Sequence, residues 1–270
     1  MRTLPGAAAT AVRDLVTAPG RPGRVVGVHP TCVYVVTGTH SDAADTVVAL
    51  ETADALGLPC SVRLGVDRSA RPFADVRPGD PALVGAGRVV AGSLTVTVVR
   101  WWEPRRPRHL HLPGRPEGQV DEGQVDERRV NVLTRLLEAH PAPVPADASV
   151  GDLLGLGPGL TPAGDDVLAG LLVALHSHDD LRRPLADEIG RLARSRTTAL
   201  SAALLRHAAA GLALPAVVDV ADALAGHGSD DDLVDAVARL VAVGSSSGTA
   251  LAHGLLRGAR TVARMAEDAA

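Results

Sequence analysis

GLGPGLTPAGDDVLAGLLVAL, residues 155–175, is where the chain changes character. Four glycines and two prolines fall between positions 155 and 164, and an apolar run from Val167 to Leu175 follows, broken by Gly170. Such a stretch reads as a turn-rich loop opening a buried helix. Thr161 is placed to cap that helix, with Pro162 at the first helical position, where its missing N–H costs little. Asp165 and Asp166 then fall in the first turn, where carboxylates suit the helix dipole.

Working outward, the chain divides into halves of different period. Downstream, helices are predicted at 163–177, 181–195, 198–211, 216–225, 231–243 and 248–267. Upstream of the loop, Val130, Leu133, Leu136 and Leu137 recur at helical spacing until Pro141. Before residue 103 the apolar residues form short Val-rich runs: RVVGV (24–28), CVYVV (32–36), TVVAL (46–50), SVRLGV (61–66), ALVGAGRVV (82–90) and LTVTVV (94–99). These read as strands, with a hairpin turn at Ala91-Gly92-Ser93. Residues 43–56 are the best candidate for a helix among them. Residues 103–127 are rich in Pro and Arg and contain a tandem EGQVD at 117–121 and 122–126, which is too few copies for a solenoid and reads as a linker. The expected fold is α+β: a β-rich domain over 1–102, a linker over 103–127, and a helical domain over 128–270 carrying the glycine-rich loop 155–166.

Composition excludes several chemistries. The 270 residues include 27 basic ones, all Arg, and the formal charge is −4. A chain without Lys forms no internal pyridoxal Schiff base or Lys enamine, and it completes no Walker A loop. Tyr34, Phe73, Trp101 and Trp102 are the only aromatic residues. So few rings and a mild negative charge argue against nucleic acid as a partner. Cys32 and Cys60 are too few for a disulfide framework and suit a reducing cytosol. No apolar run approaches the roughly 20 residues of a membrane span, and Asp14 precedes any sustained apolar stretch, so neither a membrane segment nor a signal peptide is expected.

Helix-start chemistry explains Thr161, Pro162 and one aspartate, but not four glycines. A glycine-rich loop before a helix N-terminus suits an anion, and Gly159-x4-Gly164 has P-loop spacing. Asp165 and Asp166 stand where a P-loop has Lys and Ser or Thr. Two carboxylates there repel a bare phosphate but accept a Mg²⁺ that bridges to phosphate, or the N–H groups of an amide or carbamoyl group. Two further patches fit an anion site. RSRTTALS (194–201) offers Arg194 and Arg196 as clamps and Thr197 or Thr198 as a helix cap. GSSSGTALAHG (244–254) offers Ser246 and Ser247, either of which can also cap the last helix. His176, His178, Asp179 and Asp180 lie close together, but at a predicted helix end and without supporting ligand spacing, so no metal site is assigned to them. His109 and His111 fall in the linker. There is no GxSxG, HExxH or CxxC motif.

Taken together, GLGPGLTPAGDDVLAGLL, RTTALSAALLRHAAAG and GSSSGTALAHGLLRG, in this order and spacing, resemble the oxamate carbamoyltransferase subunit family over roughly residues 150–258. The resemblance implies one subunit of a multi-subunit enzyme of purine (allantoin) catabolism, which converts oxalurate and phosphate to oxamate and carbamoyl phosphate. It implies partner subunits that resemble acyl-CoA synthetases. On this reading Gly157, Gly159 and Gly164 hold an anionic group, and Asp165 and Asp166 take a bridging Mg²⁺ or the carbamoyl amine. Arg196 neutralises the other anionic end, and Thr161, Thr198, Ser246, Ser247 and Gly248 line the substrate. One departure stands out: the family's third motif is Ser-Gly-x-Asp, whereas Ser247-Gly248-Thr249 is followed here by Ala250, with His253 nearby as a substitute. That departure favours an alternative, a non-catalytic subunit that binds a small carboxylate or only a partner. A metal-dependent hydrolase is a more distant one.

Overall fold

The computed structural model describes residues 2–38, 47–108 and 127–268, with side chains to residue 265. The chain separates into two compact units, one ending at Pro104 and the other beginning at Arg105. The expected α+β class is observed. The EGQVD repeat, His109 and His111 lie outside the described residues.

The first unit is a closed barrel of eight strands: β1 Arg2–Ala9, β2 Arg21–His29, β3 Cys32–Thr37, β4 Val47–Glu51, β5 Ser61–Leu64, β6 Pro81–Gly85, β7 Arg88–Ala91 and β8 Leu94–Trp102. A short helix, α1 Arg13–Thr17, follows β1. Around the barrel the order is β1-β5-β4-β3-β2-β6-β7-β8, closed by parallel pairing of β1 with β8. Closure leaves no exposed sheet edge, and eight strands enclose an interior that side chains can fill. Val33, Val35, Val48, Leu50, Val62, Val84, Val89 and Val96 fill it.

Two sequence readings are corrected here, and one strand was not read at all. Residues 82–90 are not one strand: the chain reverses at Ala86-Gly87, both at positive φ (51° and 74°), and Gly85 pairs with Arg88. A two-residue turn with both φ values positive matches the twist of a hairpin. In the described part of the helix expected at 43–56, Val47–Glu51 form β4, whose five residues are all buried; residues 43–46 lie outside the described residues. A short continuous apolar run lacks the periodicity that separates strand from helix. Finally, the Ala-rich segment Arg2–Ala9 is a strand despite weak intrinsic propensity, because β8 pairs along its whole length and β5 along Gly6–Ala8. Pro5 falls outside the part paired with β5, so its missing N–H removes no bond on that side.

The second unit comprises α2 Glu127–Glu138, α3 Val150–Leu153, α4 Ala163–Ala174, α5 Asp179–Arg196, α6 Ala199–Ala209, α7 Pro215–Leu224, α8 Asp230–Val241 and α9 Ser247–Asp268. Residues 105–108, expected to be linker, are built into this unit: Arg105 pairs with Asp219 and Asp222 of α7, and the Arg108 N–H donates to Asp222. Among the described residues no helix is long and apolar enough to cross a membrane.

Helix α4 is buried nearly all round, as its apolar run from Val167 onward requires, and the burial extends to Asp165 and Asp166 in its first turn. It packs most extensively against α9, and also against α6. The α4–α9 crossing depends on absent side chains. A Cβ on Gly170 would lie 2.2 Å from the Leu251 carbonyl oxygen, and one on Gly254 would lie 2.1 Å from that of Val167. One turn further along α9, a Cβ on Gly258 would lie 2.4 Å from the Ala174 methyl. Gly190, in α5, would meet nothing within 4 Å.

These contacts predict opposite outcomes for chemically identical changes. Gly170→Ala and Gly254→Ala should each destabilise by about 1–3 kcal/mol or more, through overpacking against backbone. Gly190→Ala should stabilise by about 0.5–1 kcal/mol, because Ala loses less backbone entropy in a helix. Chemical unfolding of the three variants checks both signs.

Candidate functional site

The three motifs converge on the start of α4. Ser149 caps α3 in a reciprocal pair with Asp152, which fixes where the loop begins. The loop then packs without side chains in the way. A Cβ on Gly155 would meet the Arg196 carbonyl oxygen at 1.9 Å, and one on Gly164 would meet that of Leu153 at 2.0 Å. Gly157 and Gly159 hold φ of 119° and 93°, a region that glycine enters without steric cost. From Leu156 to Gly159 the loop is exposed.

Asp165 is the clamp of this arrangement. It is 1% exposed. Its Oδ1 accepts the Gly155 N–H at 2.9 Å, and its Oδ2 accepts the Ser201 hydroxyl at 2.7 Å and the Thr197 hydroxyl. One carboxylate thus joins the loop, the end of α5 and the start of α6. The second motif adds three more ties. Thr198 caps α6 by accepting the Ser201 N–H, and its hydroxyl donates to the Leu160 carbonyl at 2.5 Å. Arg196 donates to the Gly151 carbonyl at 2.6 Å. Arg194 is exposed.

Asp166 differs from its neighbour. It is 7% exposed, and its buried Oδ2 has no hydrogen-bond partner. Burial pushes its carboxyl up to about 7, the Ser247 hydroxyl pulls it part of the way back, and the charge of Asp165 raises it again. Ser247 opens α9 and lies 3.3 Å, oxygen to oxygen, from the Thr161 hydroxyl. The α4–α9 crossing therefore carries the serine motif to the glycine loop.

Several sequence readings change at this resolution. Thr161 does not cap α4. Pro162 takes that position with extended backbone (φ −55°, ψ 141°), and Thr161 turns to Ser247 instead. The Gly164 N–H is not open to an anion, because it donates to the Leu156 carbonyl at 2.9 Å. The N–H groups of Gly157 and Gly159 donate to no acceptor among the described residues. Gly248 serves packing: a Cβ there would lie 1.8 Å from the Leu240 carbonyl oxygen. Position 250, where the family motif has an acid, is fully buried, and the His253 ring lies 2.7 Å from the His140 carbonyl oxygen. Thr197 and Ser201, the hydroxyls that hold Asp165, escaped the sequence reading as site residues. Both sit at a helix boundary, where Thr and Ser ordinarily signal a cap.

A bridging Mg²⁺ fits the aspartate pair poorly. Both Asp165 oxygens are committed to donors, which leaves Asp166 as the one carboxylate of the pair to bind it. Asp179 is held by Arg182 and Arg183, and no group of three metal-ligating side chains occurs among the described residues.

The two aspartates should respond oppositely to mutation. Asp165→Ala leaves buried donors unpaired and should cost roughly 3 kcal/mol or more. For Asp166, the folded chain holds a proton between about pH 4 and 7 that the unfolded chain has released. Its burial therefore lowers stability as pH rises through this range, and the loss is complete above about 7. Asp166→Asn should remove that slope and stabilise the fold above pH 7. Urea unfolding from pH 4 to 8 reads both effects.

No curated protein and no solved structure matches the chain. Over residues 153–259, from the last residue of α3 into α9, it matches the family model of the oxamate carbamoyltransferase subunit AllH, so the family resemblance carried by the three motifs holds for this part of the helical unit.

Proposed function

We propose that this chain is a subunit of an oxamate carbamoyltransferase-like complex, and that it binds the small anionic substrate at the loop of residues 155–166. The observation that carries the reading is Asp166, a buried carboxyl with an unpartnered oxygen, which follows a loop whose Gly157 and Gly159 N–H groups meet no acceptor among the described residues. The family match over 153–259 supplies the reaction class.

The chemistry suits such a group. In the proposed exchange a phosphate oxygen attacks the carbamoyl carbon of oxalurate, and the bond from that carbon to the oxamate nitrogen breaks. The proton that phosphate gives up must end on that nitrogen. A carboxyl group titrating near 7 can both accept and return a proton at neutral pH. When protonated, it also donates to an anion where a carboxylate would repel one. Gly157 and Gly159 then supply N–H donors, and Arg196, Thr161, Ser246 and Ser247 complete the polar lining. Asp165, Thr198, Gly164 and Gly248 act by holding this shape.

The match to a subunit family over residues 153–259 supports assembly with partner subunits, and we place acyl-CoA synthetase-like proteins in that role. The complex would act in allantoin degradation, in the cytoplasm. Cys32 and Cys60 are buried and form no disulfide, which is consistent with a reducing compartment.

The test is the reconstituted complex. Asp166→Asn should lower kcat by about 10²–10⁴-fold and abolish the ionisation near pH 7 in its pH profile. Calorimetry of the chain should give heat with at least one of oxalurate, oxamate, carbamoyl phosphate and phosphate. No heat with any of them would overturn the site. Full activity of the Asp166→Asn complex would favour the non-catalytic reading to which Ala250 points.

A further inference from the structure

A second concave site lies between α2 and α9, away from the glycine loop in sequence and lined by other residues. Its volume is about 650 Å³. Arg257, Arg260 and Arg264 line it from α9, and Glu127 and Asn131 from α2, with Asp147 from the segment before α3. The spacing of three and four residues places all three guanidinium groups on one face of α9. They span about 10 Å at roughly 1.5 Å per residue.

Two of these arginines are held in place. Arg257 donates to the Pro145 carbonyl at 3.2 Å, and Arg260 donates to the Thr134 hydroxyl at 2.9 Å. Neutral acceptors position the guanidinium groups without cancelling their charge. Among the described residues none of the three is in an ion pair, although Glu127 and Asp147 line the same groove. Arginine stays charged at any physiological pH, and its fork matches the oxygens of a phosphoryl group. Three guanidinium groups side by side repel one another, so a ligand that neutralises them in pairs gains from each.

We infer that this groove binds a small, multiply charged phosphate-bearing anion. Three positive charges along about 10 Å suit a ligand with two or more linked anionic groups. Glu127 and Asp147 confine the positive surface to that short length, which suits a compact polyanion better than an extended acidic chain. The lining contains no aromatic residue, so recognition rests on the phosphate groups rather than on stacking of a base.

Titration calorimetry of the full chain with inorganic pyrophosphate, ATP and orthophosphate, at low and at physiological salt, tests this. Pyrophosphate and ATP should bind at least tenfold more tightly than orthophosphate. Arg257→Gln plus Arg264→Gln should weaken pyrophosphate at least tenfold, while Arg264→Gln alone, which removes no side-chain hydrogen bond among the described residues, should weaken it severalfold. Loss of pyrophosphate binding in Arg257→Gln plus Arg264→Gln, two residues outside the loop of residues 155–166, separates this groove from the loop site. Absence of pyrophosphate binding, equal affinity for orthophosphate, or unchanged binding in the double variant with an intact melting transition would each overturn the inference. A stronger pyrophosphate affinity than ATP affinity would identify the phosphate chain itself as the recognised group; equal affinities would do the same.

Discussion

Backbone meets backbone where α4 crosses α9, and much of the helical unit is arranged around that contact. Carbonyl oxygens of each helix occupy the space that a side chain would take on Gly170 or Gly254. Interaxial distance between helices follows the side chains at the crossing, so glycine on both permits the closest approach. The approach buries α4 from nearly every direction and fixes α9 relative to the loop that precedes α4. Ser247 is beside Thr161 for this reason, though 86 residues separate them.

A second constraint works at shorter range. Asp165 draws in one backbone N–H and two hydroxyls from three different segments. A buried carboxylate is tolerable only when its lone pairs are satisfied, and here satisfying them is what shapes the loop. Asp166, one residue on, is also buried but lacks the same partners, and burial pushes its carboxyl up to about 7. Adjacent, identical side chains thus differ: one is fully held by donors, and the other keeps an oxygen without a partner. Environment rather than residue type draws the distinction.

Much of the fold was legible in the sequence. Each helix expected beyond residue 160 is present within a few residues of its predicted bounds, because Pro, Gly and capping residues punctuate an apolar repeat of helical period. The barrel was legible only as a series of strands. β1 was hidden because Ala, Gly and Pro carry little strand propensity, and its pairing is supplied by β5 and β8, which follow it by dozens of residues. The turn at Ala86-Gly87 was hidden because Ala rarely takes positive φ, so the valines around it read as one strand.

For the candidate site, the sequence alone singled out a glycine-rich loop, an aspartate pair, an arginine–threonine helix start and a serine-rich helix start. Local composition carries that information, since glycine, proline and capping residues act on their immediate neighbours. Tertiary structure alone decided what each does. It turned Gly164 and Gly248 from ligand contacts into packing positions and made Asp165 a clamp. It left the Asp166 oxygen unpartnered and aligned three arginines along a groove on α9. Those outcomes depend on distances between segments far apart in the chain, and on how much water each carboxyl or guanidinium loses, which no local pattern of residues encodes.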